Sequence, residues 1–267
     1  MPMSYETLHL TFAGAPSSQV ATVALNRPDV RNAFNETMIA ELTDAFTALG
    51  TRDDVRAVVL AANGKAFCAG ADLNWMKKMA GYSDDENRAD ARKLARMLEA
   101  IHRCGKPVIA RVHGDAYAGG VGLVAAADIA IAADGVKFCL SEARLGLIPA
   151  TIAPYVVRAM GERAARRYFT TAEVFDSARA ASLGFIHDAV PADALDDTVA
   201  KLAATLVANG PDAVKACKRL VADVAGRPLD ATLIEQTADW IARTRAGAEA
   251  REGIASFLEK RTPSWRE

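Results

Sequence analysis

The feature that most restricts the fold is an alternation of short apolar runs with helical patterns over the first half of the chain. Gln19 to Leu25 (QVATVAL), Arg56 to Ala62 (RAVVLAA), Pro107 to Val112 (PVIARV) and Asp128 to Ala133 (DIAIAA) are too short for buried helices and read as strands. Asn26-Arg27-Pro28 ends the first of them, and Asn63-Gly64 makes a turn after the second. Between them, Asn35 to Leu49 carries Met38, Ile39, Leu42, Phe46 and Leu49 at helical spacing. Asp72 is placed to cap a short helix through Met79, Ser83 to Arg103 is a longer amphipathic helix, and an Ala-rich helix reaches Ala127. Strand, helix, strand in this order implies an α/β core.

From about Thr151 the patterns become successively helical: Ala194 to Ala208, Asp212 to Ala225, a helix beginning near Ala231, and Ala248 to Lys260. The strand-like Phe185 to Val190 interrupts them. No repeat or linker separates the halves, so the expected organisation is a core over 1–195 and a helical lid or assembly region over 196–267. At 51% hydrophobic residues, 267 residues suffice for a large core, and a net charge of −1 with mixed signs does not suit a nucleic-acid surface. Cys68, Cys104, Cys139 and Cys217 lie at wide, irregular spacings, which argues against a zinc site or a disulfide framework. Met1 to Leu10 has no signal-peptide core, and no apolar run approaches the roughly 20 residues that span a bilayer. The expectation is a protein of a reducing cytoplasm with no membrane segment.

Three segments carry chemistry. In Lys65-Ala66-Phe67-Cys68-Ala69-Gly70-Ala71-Asp72-Leu73 a strand meets small residues and then a helix start, where unpaired N–H groups can receive an anion. In His113-Gly114-Asp115-Ala116-Tyr117-Ala118-Gly119-Gly120-Val121-Gly122-Leu123 a second strand feeds glycines that open an apolar helix. This is no dinucleotide fingerprint, P-loop or G-x-S-x-G elbow. Each turn is also compatible with ordinary strand–helix packing. The third, Phe138 to Pro149, sets Glu142 in apolar surroundings that would raise its pKa; the alternative is an exposed carboxylate paired with Arg144. Two N–H donors and one carboxylate are what enolate chemistry at a thioester requires.

The chain resembles the enoyl-CoA hydratase/isomerase (crotonase) superfamily in A-F-C-A-G-A-D-L at 66–73, K-P-V-I-A at 106–110, G-D-A-Y-A-G-G-V-G-L at 114–123, the Glu142 segment with L-G-L-I-P, A-x-x-L-G-F at 180–185 and S-F-L-E-K-R at 256–261. The resemblance implies a spiral of ββα units with a C-terminal helical trimerisation region, trimers often pairing into hexamers. It implies an oxyanion hole from the N–H groups of Ala71 and Gly119, with Glu142 as acid/base. Ala69, Gly70, Asp72, Leu73, Asn74 and Gly120 would lie along the acyl-CoA. Phe257 and Lys260 would approach the CoA nucleotide of a neighbouring subunit, or else serve as a helix anchor and a solvated charge. Coenzyme A is then part of the substrate, with no separate cofactor and no metal.

One departure from the pattern stands out. The second glutamate of generic hydratases would fall at Gly122. S-E-A-R-L-G-L-I-P-A-T-I-A-P-Y-V-V and G-E-R-A-A-R-R-Y are similar to the methylglutaconyl-CoA and γ-carboxygeranoyl-CoA hydratases, which implies a single-glutamate hydratase of a branched, carboxylated substrate. A Δ3-Δ2-enoyl-CoA isomerase using the same glutamate and a weakly catalytic binding member are the alternatives. His113 reads as structural. Asp115 and Tyr117 lie beside the glycine run as pocket lining or fold, and Trp75 and Met76 as pocket wall or core. Arg163, Arg166 and Arg167 suggest a solvated or inter-subunit face. Pro154 and Tyr155, where generic hydratases carry glycines, are expected to reshape the acyl pocket.

Overall fold

The computed structural model describes residues 4–266, so the first three residues and Glu267 lie outside the description. The strands are β1 (Leu8–Ala13), β2 (Gln19–Leu25), β3 (Val55–Ala62), β4 (Val108–Val112), β5 (Ala116–Tyr117), β6 (Ile129–Ala133), β7 (Lys137–Cys139), β8 (Val174–Asp176) and β9 (Asp188–Val190). The helices are α1 (Glu36–Thr51), α2 (Leu73–Met79), α3 (Asp84–His102), α4 (Gly119–Ala126), α5 (Ala153–Thr171), α6 (Ser177–Ser182), α7 (Leu195–Ala208), α8 (Pro211–Val224), α9 (Ala231–Ala246) and α10 (Ala248–Glu259).

Six strands form one sheet in the order β1-β2-β3-β4-β6-β9. The β1–β2 pair is antiparallel, and every later pairing in this sheet is parallel. Parallel neighbours need crossovers, and the expected helices supply them. β3 is buried at every position except Arg56, as a strand covered on both faces must be. A second, smaller sheet has the order β5-β7-β8. It packs on Phe138, Phe175, Phe185 and Tyr168, whose ring centroids lie 4.4–6.0 Å apart.

The helix starts follow local chemistry. Asn35 caps α1 by accepting the Met38 N–H (2.9 Å), and Met38, Ile39, Leu42, Ala45, Phe46 and Leu49 form its buried stripe. Ser83 and Glu86 close a capping box on α3, whose charged first half is exposed and whose last turns bury Met97, Leu98 and Ile101.

Five strands depart from the sequence reading; β5 and β7, of two and three residues, have no counterpart in it. Leu8–Ala13, read in part as a mixed segment, alternates apolar and polar residues and pairs along the sheet edge. Val174–Asp176 falls inside the region expected to be helical; three residues are too few for a period-2 signal, and pairing with β7 makes them a strand. Of the stretch 185–190 only Asp188–Val190 joins the sheet, while Phe185 and Ile186 are buried outside it.

Two compact units are present, Met1–Lys201 and Leu202–Glu267, with α7 beginning in one and ending in the other. The second unit is tied by its own polar contacts. Glu249 on α10 accepts the Asp212 and Ala213 N–H groups at the start of α8, and the Trp265 indole donates to the Ala208 carbonyl. Among the described residues no helix is long and apolar enough to cross a membrane.

Candidate active site

Beyond β3 the chain runs between two other backbones. On one side the Phe67 and Cys68 N–H groups donate to the Asp115 carbonyl (3.0 and 3.2 Å), and the Tyr117 N–H donates to the Cys68 carbonyl (2.9 Å). On the other, the Phe34 N–H donates to the Gly70 carbonyl (2.7 Å) and the Asp72 N–H to the Phe34 carbonyl (2.8 Å). Successive amides of an extended segment point to opposite sides. With Asp72 N–H spent on Phe34, the Ala71 N–H is turned away from that neighbour, and it donates to no group among the described residues.

The second loop sits directly against the first. A Cβ on Gly70, whose φ of +91° already suits glycine, would stand 3.1 Å from the Ala118 Cβ and 3.2 Å from the Tyr117 carbonyl. A Cβ on Gly120 would be 2.6 Å from the Cys68 carbonyl. Only glycine permits that approach. Gly119 opens α4, after Ala118 in a left-handed backbone (φ 47°, ψ −117°). Its N–H precedes the first helical acceptor and likewise donates to no group among the described residues. The two free donors expected from the sequence therefore lie on backbones in contact.

Glu142 follows β7 on a single 3-10 turn, Glu142–Leu145. β7 pairs in parallel with β5, and the Cys139 carbonyl accepts the Ala118 N–H (2.8 Å), so the Glu142 segment is anchored to the residue before Gly119. The Glu142 Oε2 is buried without a hydrogen-bond partner. Burial pushes its pKa above the usual carboxylate value, partly offset by its own backbone N–H. Arg144 turns away to the Ala172 carbonyl, and Glu142 has no ion-pair partner among the described residues. A half-buried acid with a buried, unpartnered oxygen and a raised pKa makes Glu142 a candidate functional group.

At Gly122 a Cβ would lie 2.2 Å from the Ile152 Cγ2 and 3.6 Å from the Leu98 Cδ2. The place of a second acid on α4 is filled by Ile152, a residue the sequence reading did not single out. Ala69, Leu73 and Asn74 are exposed, Leu73 at 74%, and can meet a ligand. Asp72 is buried, and its carboxylate is engaged by the Asn74 N–H (2.8 Å) and by Arg27 (2.9 Å), so it serves the loop itself. Asp115 accepts the Lys137 N–H (2.9 Å), a structural role, and the His113 Nε2 lies 2.9 Å from the Gly64 carbonyl. Phe257 (82% exposed) and Lys260, in a left-handed cap, stand at the end of α10 in the second unit. No His, Cys, Asp and Glu cluster able to hold a metal is found among the described residues.

The profile of the enoyl-CoA hydratase/isomerase family matches residues 16–267. The chain belongs to that family. A solved enoyl-CoA hydratase from Shewanella pealeana is 42% identical, covers 97% of this chain and 96% of its own, and superposes with a TM-score of 0.93. The crotonyl-CoA hydratase of Syntrophomonas wolfei is 31% identical over 97% of each chain. The 2,3-dehydroadipyl-CoA hydratase of Escherichia coli is 30% identical over 93% of this chain and 95% of its own. The crotonase α/β fold is thereby established, and the chain is an enzyme of the hydro-lyase class to which these hydratases belong.

Proposed function

We propose that this enoyl-CoA hydratase adds water across the 2,3 double bond of a branched, carboxylated acyl-CoA such as 3-methylglutaconyl-CoA, with Glu142 as its single acid/base. The observation that carries the reading is the buried, unpartnered Glu142 Oε2, on a segment bonded to the residue before Gly119, together with the Ala71 and Gly119 N–H groups, which donate to no group among the described residues. Glu142 takes a proton from water as its oxygen bonds to C3. Electron density moves through C2 to the thioester oxygen, where the Ala71 and Gly119 N–H groups hold the developing charge. Glu142 then returns the proton to C2, so water is added and the glutamate is regenerated.

Ile152 against Gly122 leaves no room for a helper carboxylate, and that favours a substrate bringing its own. The name of the Escherichia coli relative supplies a precedent, a hydratase of a thioester with a distal carboxylate. Ala69 to Asn74 and Gly120 would border the pantetheine and acyl arms. Phe257 and Lys260 would supply an apolar contact and a cation to the CoA nucleotide of a neighbouring subunit in a trimer or hexamer.

A panel of straight, branched and carboxylated enoyl-CoA thioesters tests the proposal. Equal kcat/KM for a matched pair with and without the distal carboxylate rejects the substrate assignment. A lone glutamate also suffices for a 1,3-proton shift. A 3-enoyl-CoA incubated in deuterated water that isomerises without forming a hydroxyacyl product would favour the isomerase.

A further inference from the structure

We infer that Arg27 and Asn32 are positioning residues that hold the Ala71 N–H in line with the thioester oxygen, a role that rests on Ala71 being an oxyanion donor. The segment from Arg27 to Phe34 lies along the loop from Asn63 to Asp72 as a splint. Asn32 is fully buried; its amide donates to the Asn63 carbonyl (2.8 Å) and the Ala66 carbonyl (3.0 Å), and its oxygen accepts the Arg27 N–H (2.8 Å). The Arg27 guanidinium donates to the Ala33 carbonyl (2.6 Å) and to the Asp72 Oδ2 (2.9 Å). The Asp72 Oδ1 holds the first turn of α2. Main-chain bonds from Ala69 to Arg31 and between Phe34 and both Gly70 and Asp72 complete the splint.

Ala71 is thus bracketed by residues anchored on both sides, while its own N–H is left over. Arg31 and Asn32 keep left-handed φ values of 53° and 55° in succession, a strain that persists only where the surroundings over-determine the backbone. This part-buried polar anchoring converges on one loop. It is suited to holding a donor against displacement, since a shift of about 1 Å in a catalytic group can cost on the order of 100-fold in rate.

The test compares Arg27→Gln and Arg27→Lys with Lys78→Ala, which breaks an exposed ion pair from α2 to Glu36 on α1. Hydration kinetics, thermal melting and the ultraviolet enolate band of a bound 3-oxoacyl-CoA are measured. Arg27→Gln is expected to lower kcat by roughly 10- to 100-fold and to weaken the enolate band, with KM within about threefold of the parent. Arg27→Lys should recover part of both, and Lys78→Ala should match the parent. Folded Arg27 variants with parental kcat and enolate band would overturn the inference. If Arg27→Gln does not fold, Arg27→Lys and Asn32→Ser decide by the same readings. A parent enzyme that raises no enolate band, or a Glu142→Gln variant that keeps its turnover, would overturn the catalytic reading of the site, and this role with it.

Discussion

At Glu142 function and stability pull in opposite directions. Its unfolded-state pKa is that of an ordinary glutamate, and burial raises the folded value. Between the two the folded state binds the extra proton, so this group's contribution to stability is present at low pH and is lost as pH rises through the folded pKa. Glu142→Gln should therefore raise the melting temperature at neutral pH while lowering kcat by about 100- to 10,000-fold. The proton-abstracting form is the carboxylate, so hydration should fall with decreasing pH along a limb above the ordinary glutamate range. A pH profile of kcat/KM checks this, and a limb at the unperturbed value would contradict it. Gly122 poses a steric question. Gly122→Glu forces a side chain into Ile152 and should cost at least about 1–3 kcal/mol in urea denaturation. Ile152→Gly opens that space, so the double variant should lose less than the sum of the single losses. Cys68 lies in the loop between β3 and α2, and burial pushes its thiol up to about 12. It should stay unmodified by a thiol reagent under conditions where the exposed Cys217 reacts.

At the scale of elements, the site depends on how closely the start of α4 approaches the loop before α2. Gly120→Ala tests that approach directly, because the new methyl would meet a main-chain carbonyl that cannot rotate away. The expected result is a loss of both stability and hydration, read by melting and by kcat. By contrast, Ser83→Ala at the start of α3 should cost about 1 kcal/mol through the lost cap and leave kcat unchanged, because Ser83 is exposed and its side chain bonds to Glu86 on the same helix. Element length also explains what the sequence showed. The strands β2, β3, β4 and β6 are apolar runs long enough to be read within a residue or so. β5, β7 and β8 have two or three residues each, and only pairing with one another defines them.

For the whole molecule, the second unit carries Leu229, Ile254, Phe257 and Leu258 at exposures above half. A surface that apolar favours self-association. The proposed homo-oligomer predicts a trimeric or hexameric mass by light scattering, reduced by charged substitutions at Phe257 and Leu258. A monomer at all concentrations would rule out the neighbouring-subunit contacts proposed for Phe257 and Lys260.

Read alone, the sequence determined the α/β class, the helical C-terminal region and the two small-residue turns, and it made Glu142 a candidate. These are local properties: periodicity, glycine and alanine where backbones must meet, and a carboxylate among apolar neighbours. What only the tertiary structure decided is who stands opposite whom. Asn26-Arg27-Pro28 reads as the end of a strand, and nothing near it in sequence shows that Arg27 reaches Asp72 or that Asn32 grips Asn63 and Ala66. Arg144 could have neutralised Glu142, and the fold instead sends it to Ala172. That Gly122 faces Ile152 is equally invisible along the chain. Such partners are 28 to 45 residues apart, and chain closure through the sheet, not local preference, brings them together.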